Sequence, residues 1–152
     1  MKIVILNQNE ITEKEKDYLI DTEWGANQFL HKIINEKSVE SYLGDEPQFL
    51  FLCNDDDDII GNATLTYQDC VQDTTLFPWI GFIFIKENYR GHRYCGHLID
   101  YACALAREKY QAHRVHAATD HKNFLEKFGF EHIDNRIDFW KEEVKVYIKN
   151  FK

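Results

Sequence analysis

Phe77-Pro78-Trp79-Ile80-Gly81-Phe82-Ile83-Phe84-Ile85-Lys86-Glu87-Asn88-Tyr89-Arg90-Gly91-His92-Arg93-Tyr94-Cys95-Gly96-His97-Leu98-Ile99 is the stretch on which the fold turns. Its opening, Phe77 to Ile85, is almost unbroken apolar, the pattern of a central strand covered on both faces. Gly81 inside it predicts a bulge or a close backbone approach. Beyond Gly96, residues Leu98, Ile99, Ala102, Leu105, Ala106 and Lys109 recur at helical spacing. They predict the buried stripe of a helix over about 94–110, with the lysine stem snorkelling. Between strand and helix lies the short basic loop Tyr89 to Gly96. Such a junction aims free backbone N–H groups and positive charge at one point, which suits a phosphate. Read alone, the loop is equally a tight strand-to-helix turn with two exposed arginines.

Working outward, Arg114 to Thr119 reads as a short strand. Strand, helix and strand make a right-handed βαβ unit with parallel strands. Asn123 to Lys127 reads as a short helix stopped by Phe128-Gly129-Phe130, and Phe130 to Ile133 and Val144 to Ile148 as two more strands. Upstream, Lys2 to Asn7 is a strand. Thr12-Glu13-Lys14-Glu15 fits a capping box that starts a helix. A second helical stretch runs from Ala26 to Leu43, with a break expected near Asn35 to Ser38 and Gly44 as its C′ residue. Pro47 to Cys53 and Ile59 to Cys70 read as strands of a hairpin around Asp55-Asp56-Asp57-Asp58. The order β-αα-β-β-β-α-β-α-β-β predicts a single α/β domain over residues 1–152 with a mixed sheet.

The bulk chemistry narrows the class. The formal net charge is −8, with 44% hydrophobic and 29% charged residues, an ordinary globular balance. An acidic field without a long basic patch argues against a nucleic-acid partner and suits a cationic one. No apolar run is long enough to span a membrane. Cys53, Cys70, Cys95 and Cys103 lack zinc-ligand spacing, and the four aspartates lack the EF-hand pattern, so no metal is expected. Reduced thiols and no signal core at residues 1–6 point to the cytoplasm.

The central strand followed by Glu87-Asn88-Tyr89-Arg90-Gly91, the helix from Leu98, and Asn123-Phe124-Leu125-Glu126-Lys127-Phe128-Gly129-Phe130 together resemble the GCN5-related N-acetyltransferase (GNAT) superfamily. The resemblance implies a GNAT-like, mostly antiparallel twisted sheet with a central parallel β-α-β unit. It implies an acetyl-CoA-dependent N-acetyltransferase acting on a primary amine of a small molecule or peptide, by direct transfer in a ternary complex. Acetyl-CoA is then the acyl-donor substrate. The loop residues Arg90, Gly91, His92, Arg93, Tyr94, Cys95 and Gly96 would hold its diphosphate. Phe82, Ile83, Phe84 and Ile85 would take its pantetheine arm in a splay between the fourth and fifth strands. A backbone N–H near Phe82 or Ile83 would serve the developing oxyanion.

The chain departs from the family in three places. Arg93 and Cys95 stand where the loop has small residues. Leu125 stands where many relatives have a tyrosine, and Trp79 roughly where they have a glutamate. Tyr94 is a substitute proton donor. His121, with Asp120 beside it, is the candidate base, histidine being the side chain suited to taking a proton near neutral pH. The alternative is that Asp120 caps the late helix and His121 is a loop residue. For the acceptor, Glu23, Asp69 and Asp73 with Trp24 and Tyr67 are either a cleft for a cationic amine or ordinary surface. The departures also sustain a reading from another class, a CoA-binding regulatory or interaction domain with little turnover. Monomer and homodimer both stand, since Val144 to Ile148 would either pair across a dimer or close the monomer's sheet.

Overall fold

The computed structural model describes residues 1–151. One seven-stranded sheet runs in the order β1-β2-β3-β4-β5-β7-β6. Its strands are β1 (Lys2–Asn7), β2 (Gln48–Cys53), β3 (Ile59–Thr66), β4 (Trp79–Ile85), β5 (Arg114–Thr119), β6 (Glu131–Ile137) and β7 (Glu143–Asn150). Every neighbouring pair is antiparallel except β4–β5. The helices are α1 (Glu13–Asp21), α2 (Gly25–Asn35), α3 (Val39–Leu43) and α4 (Tyr94–Tyr110). Among the described residues, no helix is long and apolar enough to cross a membrane.

Local chemistry explains the early elements. The Glu15 carboxylate accepts from the Thr12 backbone N–H at 2.7 Å and its hydroxyl at 2.9 Å, the reach-back arm of the capping box. The expected break in the second helical stretch falls between α2 and α3, where Lys37 has φ +57°, and Gly44 at φ +81° ends α3. In the acidic hairpin the Asn54 side chain accepts from the N–H groups of Asp56 and Asp58, both at 2.9 Å. Asp57 pairs with Lys2 at 2.8 Å, so the tetrad is a turn pinned to the start of β1.

Both faces of the sheet are covered. On one side Leu98, Ile99, Ala102, Cys103 and Ala106 of α4 pack on Leu50, Leu52, Ile60, Leu65 and Ile80. On the other, Leu19, Leu30, Ile33, Val39 and Leu43 of α1 to α3 pack on Phe49 and Phe51. A third cluster gathers Cys70, Val71, Trp79, Val144 and Val146.

Three expectations change. The strand read over Ile59 to Cys70 ends at Thr66, and residues 67–70 lie in the loop beyond it. The late helix is a single 3₁₀ turn, Leu125–Phe128. Asn123 at φ +59° before it and Gly129 at φ +87° after it bound the turn on both sides and keep it from extending. The last strand is not free to pair across a dimer. β7 lies between β5 and β6 and is hydrogen-bonded on both sides, so its apolar character is that of an interior strand.

Candidate active site

β4 and β5 are parallel but pair only at Trp79 and His116, and beyond that point they diverge. The opening is a cleft of about 870 Å³. Ile80 to Ile85 form one wall and Ala117 to Thr119 the other, the segment around Leu125 covers it, and the loop from Tyr89 to Cys95 closes one end. Trp24 extends the β4 wall by stacking on Phe84, with centroids 5.3 Å apart and planes 18° apart.

The β4 wall is not a regular strand. Thr64 pairs with Gly81 and Asn62 with Phe84, so two residues of β4 oppose Ala63 alone. Phe82 has φ +49°, which places the bulge at Phe82 and Ile83, one residue past the glycine that signals it. The Phe82 carbonyl accepts a hydrogen bond from Asn62 Nδ2 at 2.9 Å. Asn62 Nδ2 also donates to Asn27 Oδ1 at 2.9 Å, and Asn62 Oδ1 accepts from Asn27 Nδ2 at 2.9 Å and from the Tyr18 hydroxyl at 2.7 Å. All of these donors and acceptors are buried. The peptide between Phe82 and Ile83 is trans, so the Ile83 N–H points opposite to the Phe82 carbonyl, away from Asn62. A buried polar network from α1, α2 and β3 thus fixes the direction of one N–H donor. Sequence reading located the bulge but missed the network, because Tyr18, Asn27 and Asn62 are far apart in the chain.

The loop holds its shape through specific contacts. Arg90 Nε donates to the Ile85 carbonyl at 2.8 Å and its guanidinium lies 5.4 Å from the Phe84 ring centre, so this arginine clips the loop back on β4. Gly91 has φ +86° and Arg93 φ +64°. Of the two oversized residues, only Arg93 therefore bears left-handed strain; Cys95 already lies in α4. No acidic residue occupies the first turn of α4, and its first N–H groups open beside the loop. Burial pushes the Cys95 thiol up to about 11, which makes it a poor nucleophile at neutral pH. Gly96 does not line the cleft, and a Cβ there would lie 3.3 Å from the Phe128 ring, which does.

The candidate residues therefore separate. Phe82, Ile83, Phe84, Ile85, Arg90, Gly91, Arg93, Tyr94, Cys95 and His121 line the cleft, whereas His92, Gly96 and Asp120 do not. His121 and Asp120 sit at the exposed rim, 3.8 Å apart, with side chains 76% and 79% exposed. Trp79 is fully buried, its indole donating to the Leu76 carbonyl at 2.8 Å. Leu125 is also buried and faces the cleft without a polar atom.

The proposed acceptor group disperses further. Tyr67 stacks on Phe77 at 4.5 Å, Asp73 is tied to Arg136 at 3.0 Å, and only Trp24 of the five lines the cleft. Asp69 is buried behind Gly81. Reading the sequence also missed Lys122 and Lys127, which join Arg90 and Arg93 in lining the cleft. Among the described residues no Asp or Glu lines it.

Comparison with known proteins bears on this geometry. Residues 15–130 match the model of the acetyltransferase (GNAT) family. Among solved structures, a GNAT-family acetyltransferase from Staphylococcus aureus Mu50 is 19% identical, with TM-score 0.68 over 99% of this chain and 100% of that one. An acyl-CoA N-acyltransferase from Pseudomonas aeruginosa is 13% identical, with TM-score 0.66 over 98% and 99%. A mutant of the spermidine N-acetyltransferase SpeG from Vibrio cholerae is 12% identical, with TM-score 0.67 over 99% and 95%. At these identities the likeness is one of fold. No match was found among curated protein sequences.

Proposed function

The chain belongs to the acetyltransferase (GNAT) family, and on that premise we propose that it is an N-acyltransferase that moves an acetyl group from acetyl-CoA to a primary amine by direct transfer. One observation carries the donor. In a chain of net charge −8, the cleft gathers Arg90, Arg93, Lys122 and Lys127 and, among the described residues, no carboxylate. Segregated cations beside a helix N-terminus suit the phosphates of an acyl-CoA.

The residues fit that donor. Acetyl-CoA brings the acetyl group as a thioester. Arg93, Arg90 and the N–H groups at the start of α4 hold the diphosphate, with Gly91 letting the backbone approach. The diverging edge of β4 from Phe82 to Ile85 offers hydrogen-bonding partners to the amide-rich arm. The Ile83 N–H, oriented by Asn62, meets the negative charge that develops on the acyl oxygen. The Tyr94 hydroxyl delivers a proton to the departing sulfur. His121, paired with Asp120 when charged, passes protons between the cleft rim and solvent. A high thiol pKa at Cys95 favours direct transfer over an acyl-cysteine. The acceptor is an amine, a cationic one suiting the acidic exterior.

Calorimetry with acetyl-CoA, followed by thiol release against a panel of primary amines, tests this reading. Binding with release is the expected result. Binding without release for any amine supports instead the non-catalytic CoA-binding domain, a reading favoured by the apolar Leu125 in the cleft wall. No binding overturns both.

A further inference from the structure

Asp69 lies between β3 and β4, is only 4% exposed, and its Oδ1 has no hydrogen-bond partner within the protein. That oxygen faces Gly81. A Cβ built on Gly81 would lie 2.1 Å from Asp69 Oδ1 and 2.8 Å from its Cγ. The carboxylate therefore occupies the space a β4 side chain at position 81 would fill. Gly81 lines the cleft and directly precedes the bulge that carries the Ile83 N–H. Thr64, the register partner of Gly81, presents its hydroxyl on the same sheet face, and Thr64 Oγ1 is likewise buried without a partner. Two orphan oxygens thus flank one bare Cα beside the oxyanion donor.

A buried acceptor without a donor is costly, and each such group calls for an explanation. A primary ammonium carries three N–H donors and no acceptor, so it answers both oxygens. It also brings the positive charge that a desolvated carboxylate lacks. No Asp or Glu stands on β4 itself.

We propose that Asp69 is the general base of the reaction, reaching the acceptor ammonium over Gly81, with Thr64 as the second hydrogen-bond acceptor. The assignment rests on the N-acyltransferase reading above. The ammonium nitrogen gives one proton to Asp69 Oδ1. Its freed lone pair forms the N–C bond as the thioester C–S bond breaks; the sulfur takes the Tyr94 proton, and the second amine proton restores the Tyr94 hydroxyl. Asp69 then returns its proton to solvent, closing the balance. Burial holds the Asp69 carboxyl up at about 6, a value suited to a base near neutral pH. The groups facing it are the Cys70 N–H and thiol, with Asp138 close to the same cysteine. Gly81 is required because any side chain there would expel the carboxylate.

Asp69→Asn keeps the shape and removes the base. Measured with butylamine at pH 7, kcat/KM should fall by about 10²–10⁴-fold, and the deficit should shrink as pH rises and more of the amine is neutral. With hydrazine, an amine already mostly neutral at slightly alkaline pH, the loss should be only a few-fold. The acetyl-CoA Kd should be unchanged, and the Tm of the wild type should fall relative to Asp69→Asn as pH rises through about 6. Equal losses for both amines, or an unaltered pH profile, overturn the assignment and leave Asp69 a structural residue. His121→Ala showing this amine-dependent signature in its place overturns it too. A wild-type protein that binds acetyl-CoA but acetylates no amine overturns the enzymatic reading, and the base assignment with it.

Discussion

Burial holds the Asp69 carboxyl at about 6 against an ordinary value of 3.8. The sign of its effect on stability follows. A folded-state pKa raised above the unfolded one means the folded protein prefers the protonated acid. Its contribution is fully present below pH 3.8 and is lost as pH rises through about 6. Above that pH, keeping the carboxylate charged costs the fold about 3 kcal/mol, at 1.36 kcal/mol per unit. Asp69→Asn should therefore be more stable than the wild type at pH 7 to 8 by up to about that amount. Urea unfolding at several pH values should show the gap closing toward pH 4. Such a residue is retained against stability, as expected where function needs a buried charge. Arg93 presents a smaller case. Its φ of +64° costs about 1–2 kcal/mol for a residue with a Cβ. On its proposed role at the phosphates, Arg93→Gly should raise Tm while weakening acetyl-CoA binding up to about fivefold, the scale of one exposed charge contact. Unchanged affinity would place the Arg93 side chain outside the phosphate site.

At the level of elements, β4 works because it is irregular. The bulge at Phe82–Ile83 shifts the register with β3, and Asn62, held by Tyr18 and Asn27, fixes the Phe82 carbonyl and with it the direction of the Ile83 N–H. Replacing Asn62 with Leu would leave the Phe82 carbonyl, the Asn27 side chain and the Tyr18 hydroxyl short of partners. The expected cost is about 2–4 kcal/mol of unfolding free energy, from several buried groups at about 1–3 each. On the proposed oxyanion role of the Ile83 N–H, kcat should fall by more than KM rises, since such a donor acts in the transition state rather than in binding. If kcat is untouched while stability falls, the network supports the fold alone. The 3₁₀ turn at Leu125–Phe128 has a related role. It lays Leu125 over the cleft and, through Phe128, packs on Gly96 at the start of α4.

For the molecule as a whole, charge is divided. A net charge of −8 surrounds a cleft whose ionic residues are Arg90, Arg93, Lys122 and Lys127. Changing Lys122 and Lys127 together to Gln should weaken acetyl-CoA binding roughly three- to tenfold, the scale of exposed charge contacts worth up to about 1 kcal/mol each. Raising ionic strength from about 0.05 M to about 0.5 M should weaken wild-type binding more than that of the double variant, because screening acts on the charges the variant lacks. Equal salt dependence would mean that these lysines do not face the phosphates. The sheet order places β1 and β6 at the edges and β7 inside, so any pairing of strands between copies would use an edge other than the apolar last strand.

Periodicity and local chemistry carried much of this in the chain itself. The unbroken apolar run of β4, the helical stripe of α4, the capping box at Thr12 and the Gly44 stop depend on residues near one another in sequence, and all are where those patterns put them. The basic loop and the glycine marking the bulge are equally local. What lay beyond the sequence involves residues brought together only by the fold. Asn62 meets Asn27 and Tyr18 across three elements, and Lys122 and Lys127 come to line one cleft with Arg93. Asp69 read as one of three acidic residues of either an amine-binding cleft or ordinary surface, with nothing to mark it as buried. Tertiary packing desolvated it and set its carboxylate in the space of a side chain that Gly81 does not have, because burial and electrostatic environment are properties of the surroundings rather than of the residue.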